Sequence, residues 1–426
     1  MTKTAFYNNP RFRSAFYQLA VLAVVIWFGV EFAINARANL EAQNVRFGFR
    51  FLQDPASFGI VQSLIPYGEQ DTYGRVFLVG LLNTLLVSAL GIVFATILGF
   101  IIGLARLSPN WLLARLAGGY VELVRNLPLL FQIMFWYLAV LLALPGPRQS
   151  LALGLQPLLL SAADGFAYLQ RFGAPDAIAQ WWRSLAEWIG PPAIYLNNRG
   201  LIMPRAVFGE GSRIVAAAFV IAILAIIGLR AWARRRQQAT GAQFPLLWPS
   251  LAILVGLPAL ATLAVGWPVS FDLPQLRGFN FVGGSQVIPE FTALLVALTT
   301  YTAAFIAEVV RAGVLAVPKG QTEAAMALGL RRKTTLRLIV VPQAMRVIIP
   351  PLTNQYLNLT KNSTLAVAIG YPDLVAVFAG TTLNQTHQAI EIIAITMAVY
   401  LVISLVTSLA MNAYNARLRR ADRWRA

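Results

Sequence analysis

The sequence contains repeated apolar stretches that are long enough to cross a lipid bilayer as helices. A spanning helix needs about 20 mostly apolar residues, because the hydrocarbon core of a bilayer is about 30 Å thick. The 426 residues therefore predict an all-α membrane protein with about eight spanning helices. The predicted spans are 15–36, 77–105, 127–145, 213–230, 246–268, 288–310, 340–359 and 388–411. No small-residue cleavage site follows the first span, so we expect a retained anchor there.

The composition agrees with this class and argues against several others. Hydrophobic residues make up 58% of the chain and charged residues 12%, about half the charged share of a soluble domain. The net charge is +17, and the basic residues that produce it lie beside the apolar runs. We therefore attribute this charge to membrane orientation and not to nucleic-acid binding. Without cysteine there is no disulfide or thiolate metal site, and the single histidine, His387, argues against histidine-based catalysis or metal clusters.

The positive charge also predicts which side of the membrane each loop faces. With the N-terminus inside, 21 of the 34 lysines and arginines fall in predicted cytoplasmic segments and 12 in external segments. The short loop at 231–245 and the tail at 412–426 are strongly basic, and positively charged short loops stay on the cytoplasmic side. Eight crossings then leave both termini in the cytoplasm. The long external segment, 146–212, is expected to be a surface cap or a docking surface for an external partner.

A short helix is predicted between the sixth and seventh spans. Pro318 and Gly320 end the preceding span, residues 321–328 are mostly strong helix formers, and Gly329 then breaks the helix. An ordinary basic loop with one helical turn is the alternative. The spacing is nevertheless specific. Glu323-Ala324-Ala325 is followed after three residues by Gly329, which is followed after nine residues by Ile339 and after two further residues by Pro342.

This pattern resembles the coupling loop of binding-protein-dependent ABC permeases, with Val341 where that family usually has leucine. Further motifs resemble the polar amino acid branch of these permeases: Lys319-Gly320-Gln321, Pro342-Gln343-Ala344 and residues 361–365. Residues 80–85 and 124–130 resemble the first two core helices of the family. Asn362 departs from the aspartate that is common in that branch. The extra first helix, the long insert and the segment 196–200 are similar to general L-amino acid permeases of Gram-negative bacteria.

The resemblance implies a type I ABC importer transmembrane fold, with a five-helix core and three extra helices. The core helices are 77–105, 127–145, 288–310, 340–359 and 388–411. The implied domains are an N-terminal anchor helix and periplasmic segment (1–75), a first core part (76–145), an insert with two spanning helices (146–287), a second core part with the coupling loop (288–415) and a basic tail (416–426).

The resemblance also implies the function, that of a permease subunit of an importer in the bacterial inner membrane that moves L-amino acids into the cytoplasm. The expected partners are ABC ATPase subunits, a second homologous permease, a periplasmic amino acid-binding protein and membrane lipid. The phosphate-binding pattern Gly-x-x-x-x-Gly-Lys-Ser/Thr is absent, so no cofactor or catalytic residue is expected here, and ATP and Mg would be used by the partner ATPase. The residues implied in coupling to it are Gly320, Gln321, Glu323, Ala324, Ala325, Gly329, Ile339 and Pro342.

Polar residues inside the predicted spans are candidates for a translocation path. Glu308 and Arg311 lie three positions apart on one helix face, where they form either a structural ion pair or part of the path. Asn354, Asn358, Thr360 and Lys361 either line the path or bond to neighbouring helices.

Two other functional classes compete with the importer subunit. An ion-coupled secondary amino acid transporter or channel would need ion-binding residues buried in the membrane, and the spans offer few. A membrane-bound enzyme would need a catalytic constellation of side chains, and none is convincing in the sequence.

Overall fold

The computed structural model describes residues 10–42, 48–169, 176–189, 194–266 and 268–423. Within these ranges, seven helices are long and apolar enough to cross a membrane, or eight if one bent pair counts as a single span. This confirms the helical membrane fold class that the sequence predicts. The chain divides into two compact units, Met1–Met134 with Leu294–Ala426, and Phe135–Ala293.

The helices follow the apolar runs of the sequence closely. They are α1 Pro10–Ala42, α2 Tyr73–Ala105, α3 Trp111–Asn126, α4 Leu129–Met134, α5 Leu155–Leu169, α6 Asp176–Ile189, α7 Ser212–Thr240, α8 Leu247–Val265, α9 Pro289–Leu315, α10 Lys319–Ala327, α11 Arg332–Thr335, α12 Val341–Asn362, α13 Leu383–Thr386 and α14 Ala389–Arg423. In the part of the chain that the structure describes, π-helical segments lie at Phe135–Leu141, Leu336–Val340 and Val375–Thr382. Short 3-10 helices lie at Arg50–Gln53, Pro147–Gln149 and Ser363–Ile369.

The predicted span at 127–145 differs from the structure. The helix there runs only from Leu129 to Leu141, with six α-helical and seven π-helical residues. Its length of about 20 Å is by itself too short for a bilayer core, and it counts as a span, the eighth, only together with α3. It forms a bent pair with α3, at an angle of 106°. Leu127 has extended backbone angles, as expected for a residue that precedes a proline, here Pro128. The sequence prediction joined these residues into one straight span and missed α3.

The second unit contains short strands that the sequence did not predict. They are β1 Leu151–Leu153, β2 Ile194–Asn197, β3 Gly200–Met203, β4 Arg205–Phe208, β5 Val269–Asp272, β6 Gln275–Arg277, β7 Asn280–Val282 and β8 Ser285–Val287. They form an antiparallel four-stranded sheet in the order β1-β2-β3-β8 and two pairs, β4-β5 and β6-β7. Strands of three or four residues are too short to show a clear alternation of apolar and polar residues.

The second unit also contains a helical hairpin made of α7 and α8. Helix α7 ends at Gly241, which has a positive φ of 73°, a conformation that glycine adopts without steric cost. Trp232 and Phe244 lie edge to face near the turn, with ring centroids 5.4 Å apart. Both helices are strongly apolar, and most of their described side chains are exposed, as expected for helices that face lipid.

In the first unit, α2 and α9 pack closely through two glycines one turn apart. A Cβ atom added at Gly99 would lie 2.6 Å from Ile306 Cβ, and one at Gly103 would lie 2.8 Å from the carbonyl oxygen of Ala307. Small residues at this spacing allow helix backbones in a membrane to approach each other. The two glycines therefore fix the register of α2 against α9.

Candidate functional site

Helix α10 follows α9 after only three residues, Ala316 to Pro318. The amide of Gln321 donates to the carbonyl of Pro318 at 3.0 Å, which begins the helix. At the other end Gly329 has a φ of +75°. The amide of Gly329 donates to the carbonyl of Met326, and the amide of Leu330 donates to the carbonyl of Ala325, in the last turn of α10. This closes the helix as a left-handed glycine cap does, and it confirms the short helix predicted here.

Helix α10 turns most of its surface outward. Glu323 and Ala324 are exposed, whereas Ala325 is buried on the side where α10 contacts α11 and the π-helix Leu336–Val340. Met326 is 54% exposed and Leu328 is 81% exposed. A short helix that combines exposed apolar side chains with an exposed carboxylate is suited to docking in a groove of another protein.

The coupling residues of the sequence pattern fall into two groups. Gly320, Gln321, Glu323, Ala324, Ala325 and Gly329 all lie on α10 or at its end. Ile339 and Pro342 are half-buried, Ile339 in the π-helix and Pro342 in the first turn of α12. Those two residues therefore help to begin the next spanning helix and are not part of the exposed surface of α10.

Glu308 and Arg311 pair on one face of α9, as their spacing predicts. Arg311 Nη2 lies 2.5 Å from Glu308 Oε1, and Arg311 Nε donates to the same carboxylate. Arg106, at the end of α2, donates to Glu308 Oε2, which the sequence analysis missed. All three side chains are largely shielded from solvent. One carboxylate thus joins two arginines and two helices, and we call these three residues the α2–α9 clamp.

Helix α3 also contacts α9, in the turns that precede Glu308. The hydroxyl of Tyr120 donates to the carbonyl of Thr300 at 2.7 Å, and the guanidinium of Arg125 lies 5.0 Å from the ring centroid of Phe305. Val121 is buried against Ala304 of α9. Helix α9 is therefore fixed to two neighbours just before the chain continues into α10.

The polar residues of α12 do not form one cluster. Asn354, Asn358 and Lys361 are exposed, and their spacing of four and three residues places them along one face of the helix. Thr360 is buried and donates to the carbonyl of Tyr356 at 3.0 Å. An exposed polar face on a membrane helix is costly against lipid, so this stripe is suited to face water or another protein. Thr360 instead stabilises its own helix.

The Gly80–Leu85 motif ties α2 to two other segments of the first unit. Asn83 Nδ2 donates to the carbonyls of Gln62 and Pro372, both at 2.9 Å. Thr84 Oγ1 accepts from the amide of Leu374, and a Cβ at Gly80 would lie within 3 Å of Leu374 Cα. The motif therefore has a structural explanation that the sequence alone did not give.

Asp373 lies fully buried beside this motif and was not singled out from the sequence. Its Oδ1 accepts from the amide of Ala376 at 2.8 Å, while Oδ2 has no hydrogen-bond partner among the described residues. Burial raises the pKa of the Asp373 carboxyl from 3.8 to about 7, although backbone N–H donors lower it in part. Within the described ranges, no group of three or more His, Cys, Asp or Glu residues is arranged to hold a metal ion.

Comparisons with known proteins agree over nearly the whole chain. The model of a family described as "Binding-protein-dependent transport system inner membrane component" matches residues 91–420. The chain is 48% identical to the general L-amino acid transport system permease protein AapQ of Rhizobium johnstonii, over 99% of this chain and 96% of that protein. It is 51% identical to the putative amino-acid ABC transporter permease protein YhdX of Escherichia coli, over 98% and 97% of the two chains.

A third relative carries a more specific substrate description. The glutamate/glutamine/aspartate/asparagine transport system permease protein BztB of Rhodobacter capsulatus is 42% identical, over 97% of this chain and 96% of that protein. The three alignments include the insert between the two parts of the predicted core. Because they cover 97–99% of this chain, the likeness also extends to residues that precede position 91, where the family match begins.

Proposed function

This chain belongs to the family of binding-protein-dependent transport system inner membrane components, and from this membership we propose that it moves L-amino acids from the periplasm to the cytoplasm. It is a permease subunit of an ATP-binding-cassette importer, an integral membrane transport component and not a catalyst. The relatives do not favour the ion-coupled secondary transporter or channel. The substrate class is supported by the printed names of AapQ, YhdX and BztB, all of which refer to amino acids.

The energy for transport comes, in this proposal, from a separate ATPase subunit that uses ATP and Mg and docks on α10. The observation that carries the proposal is the exposed short helix between α9 and α12, which bears Glu323, Ala324 and Ala325 and ends at Gly329. The ATPase would bind α10 differently in its open and closed states. A conformational equilibrium shifts only by such a difference in affinity. Because α10 is joined so closely to α9, α10 cannot move without moving α9.

The translocation path would lie along the exposed face of α12. Asn354, Asn358 and Lys361 would contact water or solute there, facing a second homologous permease subunit. The support is energetic: these polar side chains are exposed on a membrane helix, where contact with lipid is costly, and a partner or an aqueous path removes that cost. The α2–α9 clamp would not contact the solute. It would keep α9 rigid so that motion of α10 reaches the membrane core.

The remaining features of the proposal concern the setting of the subunit. A periplasmic amino acid-binding protein would deliver the substrate on the external side. The bacterial inner membrane would hold the chain with both termini in the cytoplasm, as the basic loops 231–245 and 412–426 favour. In this proposed orientation α10 would lie on the cytoplasmic side, where ATP is available.

Reconstitution into proteoliposomes tests the proposal directly. The chain is reconstituted alone, and also together with the ATPase, the second permease and the binding protein from the same organism. Uptake of radiolabelled L-amino acids is then measured with and without ATP-Mg, in the presence and absence of an ion gradient. We expect uptake only from the full set, and only with ATP. Uptake by the single chain under an ion gradient without nucleotide would overturn the proposal in favour of a secondary transporter.

A further inference from the structure

The helical hairpin of α7 and α8 encloses an apolar groove near its turn. The groove has a volume of about 490 Å³, within the range of about 300–1,000 Å³ that is usual for small-molecule sites. Its lining residues are Ile226, Arg230, Leu246, Leu247, Trp248, Ser250, Leu251 and Leu254. Arg230 is the one charged residue among them, and it lies at the end of the groove nearest the turn.

Further arginine side chains follow Arg230 toward the turn, and no acidic side chain of the hairpin opposes them. Arg234 follows one helical turn later, so it extends the row of Ile226 and Arg230 on α7. Arg235 and Arg236 come next, and all four arginines are exposed. Among the described residues none of the four forms a salt bridge, although Arg236 lies over the ring of Trp232. No aspartate or glutamate occurs between Glu210 and Asp272, so the hairpin offers nothing to neutralise this charge.

Two tryptophans indicate the depth of the groove in the membrane. Trp248 lines it and is 71% exposed, and Trp232 on α7 is also exposed. Tryptophans on membrane proteins are enriched at the level of the lipid headgroups, and we place Trp232 and Trp248 there. The apolar part of the groove, from Leu251 to Leu254, then lies at the depth of the acyl chains, and the arginines lie at the depth of the lipid phosphates.

We propose that this groove binds one anionic phospholipid, with an acyl chain along Leu251 and Leu254 and the phosphate held by Arg230 and Arg234. Charge complementarity decides the occupant. A zwitterionic lipid would leave the excess of positive charge uncompensated, and a free phosphate would leave the apolar walls uncovered. A lipid with a net negative headgroup satisfies both parts, and basic pockets between membrane helices recognise such lipids. The site lies on the hairpin and contains none of the residues assigned to coupling or translocation.

Native mass spectrometry of the purified full chain tests the site with two lipids that share the same acyl chains. Dioleoylphosphatidylglycerol is expected to remain bound at least tenfold more tightly than dioleoylphosphatidylcholine. The double variant Arg230→Gln/Arg234→Gln is expected to weaken retention of the anionic lipid about 25-fold, since each arginine near a membrane surface contributes about fivefold. Arg213→Gln is the matched control, because Arg213 is an exposed arginine at the opposite end of α7, and it should change nothing.

A second pair of variants separates the groove from the charge alone. Leu254→Trp fills the groove and should weaken retention of the anionic lipid, whereas Val255→Trp adds the same side chain at a neighbouring exposed position outside the groove and should not. Equal retention of the two lipids, an unchanged affinity in the double variant or equal effects of the two tryptophans would each overturn the proposal. Displacement of the lipid by glycerol 3-phosphate at the same concentration would also overturn it, since a headgroup site alone would then suffice. Amino acid uptake is a separate readout, so failure here leaves the importer assignment intact.

Discussion

The side chains of Arg106 and Glu308 form an ion pair although 202 positions separate them in the chain. Arg106 follows the last turn of α2, and Glu308 lies on α9 near the helix that is proposed to dock the ATPase. Arg311 binds the other oxygen of the same carboxylate. The α2–α9 clamp therefore connects α2 to the helix from which α10 extends.

Removing one arginine from the clamp should weaken this connection. We expect Arg106→Gln to lower the free energy of unfolding by about 1.5–3 kcal/mol, the usual contribution of a hydrogen bond to a charged group. Arg106→Lys should recover part of the loss, because it restores the charge without the planar fork. Thermal unfolding in one detergent measures the effect. Arg115→Gln, at an exposed position on α3, is the control, and an equal effect of the two glutamine variants would contradict the role of the clamp.

The contact of α2 with α9 should tolerate no larger residue at Gly99. The Cβ of Gly99→Ala would lie 2.6 Å from Ile306 Cβ, so the helices must separate, at a cost of about 1–3 kcal/mol. Gly118→Ala provides a sharp contrast, because nothing lies within 4 Å of the added Cβ on α3, and removing a helical glycine stabilises by up to about 1 kcal/mol. The two thermal midpoints should move in opposite directions. A stabilised Gly99→Ala protein would show that the helices are not in close contact.

Changes on α10 should uncouple transport without unfolding the membrane core. In Glu323→Lys the exposed negative charge is replaced by a positive one. In Gly329→Asp the left-handed backbone conformation at the end of the helix becomes strained. We expect uptake to fall about 5- to 150-fold, the usual range for a coupling free energy between two sites. Expression and thermal stability should change little in Glu323→Lys, whose side chain is exposed.

The same charge reversal at Glu187, an exposed residue of α6, serves as the control for α10. Uptake by Glu187→Lys should equal that of the wild type. Normal transport by both α10 variants at normal expression would rule out the docking role of this helix.

Asn354, Asn358 and Lys361 are exposed on α12, and a solute path and a lipid-facing surface predict opposite results for their replacement. If Asn358 contacts solute, Asn358→Leu should lower the uptake rate about 2- to 10-fold, equivalent to one lost hydrogen bond, with no gain in stability. If it faces lipid, leucine should stabilise the protein and leave uptake unchanged. Val347→Leu, an apolar exchange at another exposed position of α12, controls for changes in helix packing.

Asp373 should make stability depend on pH. Its pKa is raised by burial from 3.8 to about 7, so the folded state holds the proton more tightly than the unfolded state. The resulting stabilisation is complete below about pH 4, is lost as the pH rises through about 7, and amounts to no more than about 4 kcal/mol. Asp373→Asn keeps an oxygen for the amide of Ala376 and removes the titration. Thermal midpoints between pH 5 and pH 8 should fall for the wild type and stay flatter for the variant. Parallel curves would assign the pH dependence to other groups.

The sequence predicts best what depends on local pattern. The apolar runs predicted the first residues of α2, α7, α8, α9 and α14 within about four positions, whereas α7 and α14 extend well beyond the predicted ends, through basic residues. Pro318 and Gly329 predicted the limits of α10. The pairing of Glu308 with Arg311 also followed from their spacing on one helix. In each case neighbours in the sequence are neighbours in space, so helical periodicity suffices.

What the sequence could not predict depends on contacts between distant segments. Arg106 resembles any basic residue at the end of an apolar helix until α9 is placed beside it. Asp373 stands in an ordinary loop pattern, and the contact of its segment with α2 at Gly80 depends on residues about 290 positions earlier in the chain. The bend between α3 and α4 was missed because Pro128 was included in one apolar run, although a proline disfavours helical geometry in the residue before it.

The three residues between α9 and α10 have a mechanical consequence. Even fully extended, such a connection reaches only about 10–11 Å, so it has little slack to absorb a displacement of the docking helix. Helix α9 has 27 residues and is about 40 Å long. A tilt of about 5° would therefore move its far end by roughly 3–4 Å, the width of a small gap between side chains. In the proposed mechanism, a modest pull on α10 at one surface therefore widens or closes the proposed path near the opposite surface.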